Sequence, residues 1–225
     1  RFEIFRRRQF HSHPPMYRFG GVAIHWSMVK LASMGATTQT PVDRPLPRFP
    51  LPRAAPPQLS ATLQAAGVRL RAAGRDDLGF LRALHRALTA PDFVLAPWGA
   101  EARERIIREQ FDLQHRHFLK QFPRADYWIV ERAQGETVVP IGRYYLDRHG
   151  SMWRALDMGF LPGRRGFGVA LINWTKAALV SAGSKGFDLH VAHTNLRARA
   201  LYLKLGFRDI DPPLDFHQRM MWSAC

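Results

Sequence analysis

Seven prolines fall within the 17 residues from Pro41 to Pro57, and no other feature of the sequence restricts the fold as strongly. Each removes a backbone donor and fixes φ, so the stretch can enter neither a helix interior nor a central strand and is confined to extended, solvated backbone. Residues 1–60 are therefore expected to form a basic, proline-rich, disordered extension, and residues 61–225 the folded domain. A proline-rich recognition segment is the functional alternative to a loose linker. The chain opens on Arg1 rather than Met, so its first residues read either as part of a longer chain or as translation from upstream of the native start, with Met16, Met28 and Met34 as candidate starts.

Charge is the second constraint. The chain has 33 Lys and Arg against 18 Asp and Glu, a formal net charge of +15. The first 60 residues hold 9 basic and 2 acidic residues, and the remaining 165 hold 24 and 16. Two readings follow: a basic tail on a mildly basic domain, or a surface for nucleic acid or an acidic partner. The only cysteine is Cys225, which excludes a disulfide scaffold and a cysteine-based metal site. The weakly apolar stretch Phe19 to Ala36 is broken by His25, Trp26 and Lys30, too poor for a membrane span or a signal peptide, so a cytoplasmic protein with no membrane partner is expected.

Hydrophobic periodicity then outlines the domain. Val68 to Arg71 alternates as a strand, Gly74 turns the chain, and Asp76 is positioned as N-cap of a helix carrying Leu78, Leu81, Leu84 and Leu88. A second helix is predicted over 100–121. Strands over 126–132, 138–147 and 152–161, joined by short glycine turns, make an antiparallel meander. Beyond them, helix 168–182, strand 186–192, helix 196–205 and a closing strand over 218–222 alternate, which requires at least one parallel pair.

The meander ends in Leu161-Pro-Gly-Arg-Arg-Gly-Phe-Gly-Val-Ala170, a strand running into a glycine turn and then an apolar helix. Glycines permit positive φ and close ligand approach, and the N–H groups and dipole of a helix start attract phosphate. Arg164 and Arg165 could pair bidentately with a pyrophosphate. A plain glycine turn with an exposed Arg pair is the other reading. The stretch is neither a Walker loop nor a dinucleotide fingerprint.

Arg165-Gly-Phe-Gly168-Val-Ala170 resembles the Arg/Gln-x-x-Gly-x-Gly/Ala pyrophosphate motif of the GNAT acetyltransferase superfamily, between that family's fourth strand and the following helix. Downstream, Asn195 followed by Ala200-Leu-Tyr202 and Leu205-Gly-Phe207 resembles the family's second signature. The resemblance covers about residues 67–223. It implies an α+β, three-layer αβα fold: a mixed, mostly antiparallel seven-stranded sheet with about four helices, splayed between strands four and five. It implies acetyl-CoA as cosubstrate and direct transfer to a primary amine on a small molecule or peptide. Homodimerisation is common among such proteins.

What the resemblance implies for individual residues follows the motifs. Coenzyme contacts would come from backbone at Phe160 and Leu161, from Arg164, Arg165, Gly166, Phe167, Gly168, Val169 and Ala170, and from Asn195 and Tyr202. Tyr202 would protonate the leaving thiolate, a phenol being protonated at neutral pH. Asp157 would act as general base, in a position where many relatives carry Glu; an ordinary polar strand residue is the alternative. Asn195 is also a good N-cap, and the two roles are compatible. Trp98, Gln110, Gln114 and His117 fall in the two-helix region that lines the acceptor side in this superfamily and are candidates to face the substrate; a packed Trp and solvated helix polar groups are the ordinary reading. Neither His190-x-x-His193 nor His115-x-His117 has the ligand frame of a metal site. The competing function is a basic adaptor, or nucleic-acid-associated protein, that keeps the fold without catalysis; salt-dependent nucleic-acid retention surviving loss of residues 1–60 would distinguish it.

Overall fold

A computed structural model of the chain describes residues 45–52, 55–93, 97–164, 166–214 and 216–224. The rest of the expected disordered extension, Arg165 and Cys225 lie outside these residues. In chain order the elements are α1 (Ala61–Ala65), β1 (Val68–Ala72), a 3-10 turn (Arg75–Asp77), α2 (Leu78–Thr89), a second 3-10 turn (Ala90–Phe93), α3 (Ala100–Gln121), β2 (Asp126–Gln134), β3 (Thr137–Asp147), β4 (Met152–Phe160), α4 (Phe167–Ser181), β5 (Gly186–Ala192), α5 (Leu196–Lys204), β6 (Arg208–Leu214) and β7 (His217–Ser223).

The strands form one mixed sheet in the order β1-β2-β3-β4-β5-β7-β6. Every neighbouring pair is antiparallel except β4 with β5, the parallel pair that the alternating last third requires. The strand absent from the periodicity reading is β6, whose Asp-Pro-Pro run argues against a strand. Its place at the sheet edge resolves this, because an edge strand needs only one row of ladder donors. Asp77, not Asp76, closes the turn before α2: its carboxylate accepts from the Gly74 N–H at 2.7 Å. The short α1 is capped by the Ser60 hydroxyl, which accepts from the Leu63 N–H.

Two apolar layers cover the sheet. On one face, Leu63, Trp128, Val130, Tyr144, Leu146 and Met158 pack with Leu171, Ile172, Trp174 and Leu179 of α4 and with Ala198 and Tyr202 of α5. On the other, Ile129, Tyr145 and Leu156 pack with Leu81 of α2 and Phe111 and Phe118 of α3. The layering is αβα.

Parts of the proline-rich segment, within residues 45–52 and 55–60, touch the domain. Extended proline backbone leaves its carbonyls unused by any ladder, and side chains of α3 take them: His115 Nε2 is 3.0 Å from the Pro47 carbonyl and Arg116 donates to Pro45 at 3.2 Å. Leu46 and Phe49 join the α2/α3 layer, and Trp174 Nε1 donates to the Gln58 carbonyl at 2.9 Å.

Candidate active site

The site begins where two strands part. Pairing of β4 with β5 runs from Met152↔Gly186 only to Ala155↔Leu189, while β4 continues to Phe160 against β3 alone. In an antiparallel ladder, alternate residues direct their backbone groups to opposite edges. Leu161 gives its N–H to the Ile141 carbonyl at 2.9 Å, so Met158 and Phe160 direct theirs to the edge that β5 has left. Of the two backbone positions expected to meet the coenzyme, Phe160 therefore faces the gap and the Leu161 N–H is occupied by β3.

A bulge sets the side chains of β4. Tyr145 pairs with Asp157 and Leu146 with Ala155, which leaves Leu156 without a partner. Alternation is reset there. Ala155, Met158 and Phe160 join the α4/α5 layer, and Leu156 the other. A Cβ on Gly159 would stand 2.6 Å from Leu88 of α2. Asp157, 2% exposed, meets Arg143 of β3, with Nη2 2.6 Å from Oδ2.

The chain then turns through Gly163 and Gly166, at φ of 83° and 87°, values that L side chains rarely adopt. Gly166 caps α4 with no side-chain hydrogen bond, and the Ala170 N–H closes the first turn on the Gly166 carbonyl at 3.1 Å. The N–H groups of Phe167, Gly168 and Val169 have no acceptor within the helix. A Cβ on either Gly163 or Gly166 would meet nothing within 4 Å, so backbone conformation and not crowding calls for glycine at both. Gly168 lies against the Met158 and Phe160 side chains, so the helix start abuts the unpaired end of β4. An unpaired strand edge leading into an uncapped helix start fits an elongated ligand with a phosphate end.

Comparison with known proteins agrees with this geometry. The model of the acetyltransferase (GNAT) family matches residues 86–207, more than half of the chain. The chain belongs to the GNAT acetyltransferase family. Among solved structures it is similar to the PaiA N-acetyltransferase of Thermoplasma acidophilum in complex with coenzyme A, at 17% identity over 70% of this chain and 99% of that one, with a TM-score of 0.52. It is also similar to the spermidine N-acetyltransferase of Vibrio cholerae in complex with CoA and spermine, at 22% identity over 70% and 95%, with a TM-score of 0.48. No curated protein matches the sequence. The donor used by this family is acetyl-CoA, and the chain is a GNAT-type acyltransferase.

Within this GNAT fold, α5 starts at Asn195, whose Oδ1 accepts from the Ala198 N–H at 3.1 Å. That cap orients Tyr202, two turns on. Tyr202 is 0% exposed, packs on Phe207, and its hydroxyl has no partner among the described residues. Burial pushes its phenol well above the usual range, and the charge of Asp157 adds to the effect. For Asp157, burial raises the carboxyl above its ordinary value, against the opposing pull of Arg143 and of the Met158 N–H.

On the helical side, Gln114 accepts from Arg143 Nη2 at 3.4 Å, which joins α3 to Asp157 through one arginine. Gln110 lies one turn earlier on the same stripe, with both amide atoms buried and without a partner among the described residues. Trp98 packs on Ile107. The His117 ring meets Phe118 and Phe122. Arg164 is half-buried in the turn. The sequence reading missed Arg143 and Arg132. The first was detectable as a lone charge inside the apolar run Ile141 to Leu146. The second stands over the Phe167 ring at 5.5 Å, brought to the turn from β2. Among the described residues, no helix is long and apolar enough to cross a membrane, and no group of three His, Cys, Asp or Glu could hold a metal.

Proposed function

We propose that the protein transfers the acetyl group of acetyl-CoA directly to a primary amine bound between the β4/β5 splay and α3. One observation carries the reading: the unpaired edge of β4 leads into a helix N-terminus with no side-chain cap, and on the neighbouring helix the buried Tyr202 hydroxyl has no partner among the described residues. A buried hydroxyl without a partner costs about 1–3 kcal/mol, a cost that a ligand atom would remove.

The first-turn N–H groups of α4 would take the pyrophosphate, with Arg164 and Arg165 supplying charge, and the backbone of Phe160 would pair with the pantetheine arm. Bound acetyl-CoA supplies an activated acetyl group. Asp157 would take a proton from the acceptor ammonium, its carboxyl being raised by burial above the ordinary carboxylate value and so a stronger base than a free carboxylate. Tyr202, raised in its turn, keeps its proton in the resting site and would donate it to the departing sulfur. The unpartnered amide of Gln110, with Gln114 beside it, would receive the polar groups of the acceptor, and Trp98 its apolar part.

Titration calorimetry of acetyl-CoA into the full chain tests this, beside Gly168→Asp, which sets a carboxylate among the first-turn donors. Micromolar binding lost in the variant, followed by acetylation in an amine screen that Tyr202→Phe slows by about 100-fold or more, is the expected result. A folded chain that does not bind acetyl-CoA would refute the proposal.

A further inference from the structure

Among the described residues, Arg143 is the only buried arginine or lysine, at 1% exposed. The β3/β4 register pairs it with Gly159, two residues beyond Asp157, which makes Arg143 and Asp157 diagonal neighbours on one sheet face. The two charges meet at 2.6 Å. The guanidinium also reaches Gln114 at 3.4 Å and stands 5.7 Å from the centre of the Tyr145 ring. Removing two charges from water offsets most of their attraction, so a buried ion pair adds little stability over an apolar pair. Its position beside the unpaired edge of β4 gives it a different use.

We propose that Arg143 is a positioning residue for acetyl transfer, fixing the Asp157 carboxylate beside the open edge of β4 and tying it to α3 through Gln114. The inference rests on the reading of Asp157 as the proton acceptor. Without a counter-charge, a carboxyl enclosed this fully keeps its own proton and has no site for another. Arg143 holds it ionised and aimed. When an acceptor ammonium arrives, one N–H bond breaks, an O–H bond forms on Asp157, and the electron pair remains on nitrogen as the nucleophile. Arg143 then faces a neutral acid, which favours loss of that proton once product leaves.

Other ionisable groups surround the pair. From β3 comes Tyr145, and from α5 Tyr202, both raised by burial and by the charge of Asp157. From α3 comes His115, held below its ordinary range mainly by burial and further by Arg143. α2 contributes the buried His85. α4 directs Lys176 away, to Phe207 and Trp222, and Asp188 of β5 is bound to Arg154 and Arg219.

The test titrates isotope-labelled aspartate carboxyls by NMR in the full chain, with the Asp157 resonance assigned by its loss in Asp157→Asn. Arg143→Met should raise the Asp157 midpoint by about one unit, a tenfold change in ionisation. Arg143→Lys keeps the charge but not the planar fork that reaches Gln114, and should raise it by less. With the amine found by the screen, the acid limb of kcat should move with the midpoint while KM for acetyl-CoA stays constant. An unmoved midpoint in an Arg143→Met chain that still melts cooperatively overturns the inference. If that variant does not fold, Arg143→Lys decides: wild-type midpoint together with wild-type kcat overturns it. Loss of acetyl-CoA binding in the parent would remove the underlying reading, whereas an unmoved midpoint with acetyl-CoA bound overturns the role of Arg143 alone.

Discussion

Replacement of Asp188 by Asn should weaken the fold at the base of the splay. Asp188 is 1% exposed and lies opposite Arg154 in the β4/β5 register, one pair before that pairing ends. Arg154 donates to it at 2.7 and 2.8 Å, and Arg219 of β7 at 2.9 and 2.5 Å. One carboxylate thus joins three strands. Removing one partner of a fully buried ion pair costs about 3–5 kcal/mol, but both arginine side chains are about one-third exposed and regain water, so the expected loss is about 2–3 kcal/mol. For a domain of this size that is roughly 5–10 °C in Tm. Desolvation acts against ionisation of Asp188, but the two arginines outweigh it and hold the carboxyl below its usual range. Its stabilisation is therefore complete above the unfolded value of about 4 and fades as pH falls through the lower folded value. Thermal melts of parent and variant from neutral pH to strong acid are the assay, and the two curves should converge at the acid end. A Tm within about 1 °C of the parent at neutral pH, well below the shift that such a loss implies, would refute the argument that this carboxylate clamps the strands.

Further outcomes follow from the same structure. Gly166→Val forces a β-branched residue to φ of 87° and should cost about 1–3 kcal/mol, seen as a lowered denaturant midpoint, while weakening acetyl-CoA binding. Burial holds the His115 imidazole below its usual range, so its contribution to stability is present above the unfolded value of about 6.5 and is lost as pH falls through the lower folded value; melts of His115→Gln should lack that decline. Phe49 contacts the rings of His115, Tyr127 and Tyr145, so Phe49→Ala should speed tryptic cleavage after Arg48 while leaving the cooperative melt of the domain in place.

Where sequence reading succeeded, the cause was local. The glycine turn after β4 could be read because backbone at positive φ needs glycine wherever it occurs, and the Asn195 cap because its acceptor bonds a donor three residues on. The meander could be read from strand periodicity and short glycine turns. Where reading failed, the partners were distant. The ion pair between Arg143 and Asp157 depends on the β3/β4 register, and the bulge at Leu156 leaves no mark on residue type. The edge position that makes β6 tolerable follows from strand order, not from its prolines. The docking of residues 45–52 depends on α3 offering His115 and Arg116 to carbonyls some 70 positions earlier.

Composition, periodicity and two short motifs determined the layers, the meander and the glycine turn after β4, because each rests on interactions within a few residues. Only the tertiary structure decided which charges meet beneath the splay and that, among the described residues, the Tyr145 and Tyr202 hydroxyls are buried without a partner, because burial and strand register belong to no single stretch of chain.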